Sequence, residues 1–166
     1  EDVVTLDAVS GGRVALGVGL GYQDADFRAM GIEKKHRVGR FEEAIEILRK
    51  AWTGEPFDHK GRYFDIENVR VTPKPIQKPR PPIWLGAWVP AALERAGRLG
   101  DAIVMDPSWP LHESAEVARQ YREAAHAAGN EPVVVMMRDA WVADSLEDAA
   151  RVYGPEVTDA YRYYWR

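Results

Sequence analysis

Ile83-Trp84-Leu85-Gly86-Ala87-Trp88-Val89-Pro90-Ala91-Ala92-Leu93-Glu94-Arg95-Ala96-Gly97-Arg98-Leu99-Gly100-Asp101-Ala102-Ile103-Val104-Met105 holds two short apolar runs separated by a glycine turn and a longer segment. Ile83 to Leu85 reads as a strand covered on both faces. The small residues after it form a turn, and Pro90 opens a helix at a first-turn position, where its missing N–H costs nothing. Ala102 to Met105 is then a second buried strand. The pattern continues downstream with a helix from Glu113 to Ala128, stopped by Gly129-Asn130, and a longer strand from Val133 to Val142. Ser145, with Asp148 three residues later, caps a further helix. Strands and helices alternating through short links are the signature of parallel βα units.

Working back towards the start, Val3, Leu6 and Val9 have helical spacing, and Ser10-Gly11-Gly12 ends that helix. Arg13 to Val18 predicts a strand that runs into Gly19-Leu20-Gly21-Tyr22. Gln23 to Val38 is polar and irregular, a long loop with a helical turn around Asp26 to Met30. From Gly39 to Trp52, Phe41, Ala44, Ile45, Leu48 and Trp52 recur at steps of three and four, which predicts an amphipathic helix. Phe57 to Phe64 has the turn chemistry of a small hairpin. The prolines between Thr72 and Pro82 keep that segment extended and out of any sheet centre.

A buried parallel sheet with one helix per strand fits either an open doubly wound sheet or a closed eight-fold barrel. The barrel needs about 250 residues, and the 166 here hold four strand–helix units, half of one. Glu1 at the start and the aromatic run Arg162-Tyr163-Tyr164-Trp165-Arg166 at the end both look cut, so the expectation is one partial domain, residues 1–166, of a longer chain. The composition is 46% apolar and 29% charged, with a net charge of −4 and no Cys. Those values rule out a disulfide scaffold and a Cys-ligated metal, and argue against a nucleic-acid-binding face. No apolar run approaches a membrane span, and a cytoplasmic setting is the expectation.

In both architectures the chemistry gathers at the carboxyl ends of the strands. Four such ends are legible: Gly17 to Gly21, Gly86-Ala87-Trp88, Asp106-Pro107 and Ala143-Asp144. The first does not complete a dinucleotide fingerprint, because its third glycine would fall at Tyr22. Its glycines either ease the chain off a crowded rim or let a ligand approach the backbone. Gly86 to Pro90 leads into a helix and is either an anion site served by main-chain N–H groups or a plain turn; no Ser or Thr stands at 87–91. Asp106 is the one acid expected at the rim, or else the opening of a turn. His36 and Arg37 read as a solvated basic patch in which Arg37 anchors the loop. His59 is expected to be exposed in the hairpin turn, and His112 and His126 to lie on the surface. No nucleophile triad, two-His metal site or phosphate loop is present, so no metal is expected and a bound organic cofactor would carry any redox chemistry.

The run Leu6 to Gly19, Gly21-Tyr22, Phe27 to Gly31, and the helix with Arg37, Arg40, Glu43 and Trp52 resemble the bacterial luciferase-like monooxygenase family. So do Gly61 with Tyr63, Pro73 to Pro79, Pro82-Ile83 and Ala96 to Ala102. The resemblance implies an α/β fold, part of a (β/α)8 TIM barrel from about strand 4 to strand 7. It implies FMN, or in a related branch coenzyme F-420, at the carboxyl face of the strands. Gly19, Gly21, Gly86, Ala87, Trp88, Pro90 and Asp106 map to cofactor contacts, with Trp88 and Pro90 where many members carry Ser or Thr. Which residues are catalytic is left open, and they are expected in the missing strands. The implied reaction is oxidation of a small-molecule substrate by molecular oxygen at a reduced flavin supplied by a flavin reductase, in a homodimer, with loop 22–38 as a lid. With F-420 it is hydride transfer. A flavin-binding protein without catalysis, an inactive barrel piece, and a phosphate-binding lyase or isomerase barrel are the competing readings.

Overall fold

The computed structural model describes residues 1–164; Trp165 and Arg166, the last two of the aromatic run, lie outside the described residues. Four parallel strands form the main sheet in the order β1 (Leu16–Val18), β4 (Ile83–Gly86), β5 (Ala102–Met105), β6 (Val133–Met136). Each is joined to the next through helical chain: α2 (Asp24–Ala29) and α3 (Arg37–Ala51), then α4 (Pro90–Leu99), then α5 (Leu111–Ala127). Helix α1 (Asp2–Ser10) precedes the sheet, and α6 (Leu146–Val152) and α7 (Gly154–Tyr164) follow it. Neighbours in sequence are neighbours in the sheet, the sequential order of a barrel rather than the reversed order of a doubly wound sheet.

The strand register sorts the side chains into two faces. Leu16, Val18, Ile83, Leu85, Ile103 and Met105 face the helices, and Ile83, Leu85, Ile103 and Met105 are buried there against Leu93 and Ala96 of α4 and Val117 and Tyr121 of α5. The opposite face carries Gly17, Trp84, Gly86, Val104 and Val135, all half-buried or exposed, together with the small Ala102, which is buried. In a closed barrel this face lines the interior.

Helices α4 and α5 approach closely because residue 97 lacks a side chain. A Cβ on Gly97 would stand 2.6 Å from the Ala125 backbone nitrogen. Asn130 closes the same contact by donating from Nδ2 to the Gly97 carbonyl at 2.8 Å.

Several boundaries differ from those read in the sequence. The first strand begins at Leu16 rather than Arg13, because Arg13 N–H donates to Ser10 Oγ (3.2 Å) and the Val14 carbonyl accepts from Gln77 Nε2 (2.7 Å) instead of a neighbouring strand. The last strand ends at Met136, short of Val142. Beyond it Arg138 turns back to donate to the Pro107 carbonyl (2.9 Å) and Ser114 Oγ (3.2 Å). The hairpin is longer than expected: β2 (Phe57–Lys60) pairs with β3 (Asp65–Val69), with a register shift between Phe57 and His59. Loop 23–38 contains α2 and a short 3-10 turn at Lys34–His36.

Candidate functional site

At the carboxyl end of the sheet, the turn after β1 and the turn after β4 meet in one cleft of about 480 Å³. Gly19, Leu20, Gly21 and Tyr22 form one wall; Gly86, Ala87, Trp88, Val89 and Ala92 form the other, and Arg37 completes the lining. A Cβ built on Gly17, Gly19 or Gly86 meets nothing within 4 Å. These glycines therefore border open space that a larger residue would occupy. Gly21 has a φ of 72°, a conformation that side-chain-bearing residues rarely adopt, and packs beside Phe27 of α2. Trp88 meets Trp109 of the β5–α5 turn edge-on, with centroids 6.5 Å apart.

Of the residues expected from the sequence, Gly19, Gly21, Gly86, Ala87 and Trp88 come together in this cleft. Pro90 lies just behind it in the first turn of α4. The N–H groups of Ala92 and Leu93 donate to the Val89 carbonyl (2.8 and 2.9 Å) and Pro90 has none, which leaves few main-chain donors at this helix start. Asp106 is not among the lining residues. Its carboxylate accepts from the Ser108 N–H at 2.8 Å and from the Ser108 hydroxyl, so it shapes the turn.

Three carboxylates away from the cleft fix loops, each by accepting main-chain N–H groups. Asp7 is fully buried and accepts from the Ile76 and Gln77 N–H groups (2.7 and 3.1 Å) and from Gln77 Nε2 (2.7 Å), tying the proline-rich segment to α1. Asp101 accepts a bidentate pair from Arg80 (2.6 and 3.0 Å) and the Ile83 N–H (2.7 Å) at the start of β4. Glu43 on α3 accepts from the Tyr63 and Phe64 N–H groups (3.1 and 2.8 Å) and pairs with His59 Nε2 at 3.0 Å. For all three, burial pushes the carboxyl pKa up and the hydrogen bonds outweigh it, holding the group below its ordinary value.

Two expectations are corrected here. His59 is 5% exposed rather than on the surface, because β2 turns it inward onto Glu43. Arg37 is half-buried in the cleft lining rather than in a solvated patch, while its Nη1 donates to the Lys34 carbonyl at 3.4 Å and so anchors the loop as expected. His112 and His126 are exposed, as expected. Among the described residues no cluster of three His, Asp or Glu could hold a metal ion, and no helix is long and apolar enough to cross a membrane.

A sequential parallel βα sheet with its cleft at the strand carboxyl ends is the arrangement of a barrel enzyme. The chain belongs to the luciferase-like monooxygenase family, whose model matches residues 1–165. It is 28% identical over 168 aligned residues to the oxygenase component of flavin-dependent trigonelline monooxygenase from Acinetobacter baylyi, covering 98% of this chain and 46% of that one. It is 35% identical over 104 residues to the FMNH2-dependent dimethylsulfone monooxygenase of Pseudomonas putida, covering 61% of this chain and 29% of the relative. Among solved structures, monooxygenase RslO1 from Streptomyces bottropensis superposes with a TM-score of 0.84 at 28% identity, over 96% of this chain and 50% of that one. The chain thus spans half or less of each of these relatives.

Proposed function

We propose that residues 1–166 form one partial-barrel domain contributing part of the cofactor site of a flavin-dependent monooxygenase. The cleft shared by Gly19 to Tyr22 and Gly86 to Val89 carries this reading. Open space over Gly17, Gly19 and Gly86 suits a flat ring laid against the backbone, and the apolar walls suit its edges. The residues fit FMN. Gly19, Gly21, Gly86, Ala87 and Trp88 would hold it, with Pro90 setting the helix start and Asp106 shaping the neighbouring turn. Reduced FMN supplies the electrons with which molecular oxygen is activated towards a small organic substrate. The chain's own part is positioning and exclusion of water: Tyr22, Trp88 and Trp109 cover the cleft with aromatic surface, and loop 22–38, braced by the Lys34–Asp24 ion pair at 2.6 Å, closes one side as a lid. The relatives' names support a partner that delivers reduced flavin, a flavin reductase. A homodimer working in the cytoplasm completes the proposal.

The natural full-length protein, mixed with FMN, NADH and a flavin reductase, is expected to quench flavin fluorescence on binding and to consume oxygen when substrate is present. Binding without oxygen uptake across a substrate panel would mark a flavin carrier, and no binding would overturn the reading. Preference for coenzyme F-420 over FMN in the same titration would reassign the reaction to hydride transfer.

A further inference from the structure

We infer that the substrate of the flavin reaction is an uncharged, planar aromatic molecule and that Trp109 selects it, an inference that rests on the cofactor reading of the cleft. Tryptophan is concentrated at this end of the fold. Of the six in the chain, Trp84 lies on the inner sheet face, and Trp88, Trp109 and Trp141 follow the carboxyl ends of β4, β5 and β6 in turn. Trp88 lines the cleft and keeps 52% of its surface exposed, so it does not serve the core alone. Trp109 meets it with ring centroids 6.5 Å apart and planes at 76°, a corner of one ring face and one ring edge. A planar guest completes such a corner by stacking on the face and meeting the edge, the two arrangements that aromatic rings prefer.

The turn that carries Trp109 is fixed by its own hydrogen bonds. Asp106 accepts from the Ser108 N–H at 2.8 Å and from the Ser108 hydroxyl; Arg138 donates to the Pro107 carbonyl at 2.9 Å and to Oγ of the buried Ser114 at 3.2 Å. Trp109 itself packs against the core. A ring held in advance loses little rotamer freedom on binding, so its stacking energy goes into affinity. The same bonds keep charge out of the cleft. Asp106 and Arg138 are engaged on that turn, Asp139 accepts from the hydroxyls of Tyr153 and Tyr161, and none of the three lines the cleft. Arg37 is the one charged residue among the described residues lining it, while Ala87, Val89 and Ala92 beside the tryptophan pair are apolar. An ionised substrate group set against these walls would shed its water uncompensated.

Titrating the FMN complex of the full-length protein with 2-naphthol, its saturated counterpart decahydro-2-naphthol, and 2-naphthoate tests ring and charge separately, read by flavin absorbance and calorimetry. 2-Naphthol is expected to bind about two- to tenfold more tightly than the saturated alcohol, the range of an aromatic pair, and about tenfold more tightly than the anion. Trp109→Leu, which keeps apolar bulk and removes the ring, should abolish the preference for 2-naphthol over decahydro-2-naphthol and leave FMN binding unchanged; Trp109→Phe should retain it. A merely structural Trp109 would weaken both alcohols equally. Equal binding of the two alcohols to wild type, tighter binding of 2-naphthoate, no binding of any of the three, or a preference intact in Trp109→Leu would overturn the inference. If Trp109→Leu does not fold, loss of the preference in Trp109→Met with retention in Trp109→Phe supports it, and an intact preference in Trp109→Met defeats it. Wild type that binds no FMN would instead overturn the cofactor reading itself.

Discussion

Asp7, Glu43 and Asp101 spend their charge on backbone N–H groups of loops distant in sequence. Because all three have folded-state pKa values below their ordinary ones, their contribution to stability is complete above the unfolded values of about 4 and is lost as pH falls through the lowered folded values. The melting temperature is therefore expected to be flat from pH 7 to about 5 and to drop below pH 4. Asp7→Asn should melt lower than wild type at pH 7 and fall less steeply in acid, since the charge is lost and one of the two accepting oxygens becomes an NH2 donor set among the donors of Ile76 and Gln77. Differential scanning calorimetry at stepped pH checks both; parallel curves for the two proteins would refute the role given to Asp7. These anchors were hard to read in sequence. A carboxylate that caps a loop 69 or 70 residues away leaves no local spacing signal. His59 was misread for the same reason, because its partner Glu43 lies on a different element.

The legible parts of the chain are those whose period is set by their own burial. Strands β4 and β5 and helix α3 appear where the apolar pattern puts them, because one continuous face of each meets the core. Strand β3 was missed: its exposed residues Asp65, Glu67 and Asn68 carry no alternation, and pairing with β2 alone holds it. Gly19, Gly21, Gly86 and Ala87 stand out in sequence as small residues at strand ends, a pattern equally open to a plain turn, and Trp88 joins them only through the family resemblance; Arg37 gives no such signal, since a cation at a helix start usually faces water. Helix contacts obey the same logic. Replacing a helical glycine by alanine ordinarily stabilises by about 1 kcal/mol. At Gly97 the added Cβ would instead meet the Ala125 backbone nitrogen at 2.6 Å and the Ala124 carbonyl carbon at 2.7 Å, atoms that cannot rotate away. Gly97→Ala should therefore cost about 1–3 kcal/mol, seen as a lower urea midpoint. A midpoint raised by the substitution would mean that α4 and α5 separate more easily than their packing implies.

At the scale of the molecule, the sheet is finished on one face only. The helix-facing side is buried, but on the other face Gly17 is exposed and Trp84, Val104 and Val135 are only half-buried. The outer edges of β1 and β6 have no strand partner among the described residues. Beyond β6, Trp141, Val142 and Leu146 add exposed apolar surface. An exposed apolar sheet face with two open parallel edges is a template for association. The matched relatives are about twice as long as this chain, and a closed barrel would use the additional strands to cover that face. Residues 1–166 produced alone should consequently self-associate and bind an apolar dye such as anilinonaphthalene sulfonate, whereas the full-length protein should elute as a discrete species with little dye binding. Charges at Val104 and Val135 separate the two situations. Val104→Lys with Val135→Glu should improve the solubility of the isolated segment, where both side chains meet water. The same pair should destabilise the full-length protein by several kcal/mol, the cost of burying charge, because there both positions would face a filled interior. Analytical ultracentrifugation of the four proteins reads the outcome. A segment that stays monomeric without dye binding, or a full-length protein indifferent to the two charges, would mean that this face is a solvated surface and that the sheet does not close.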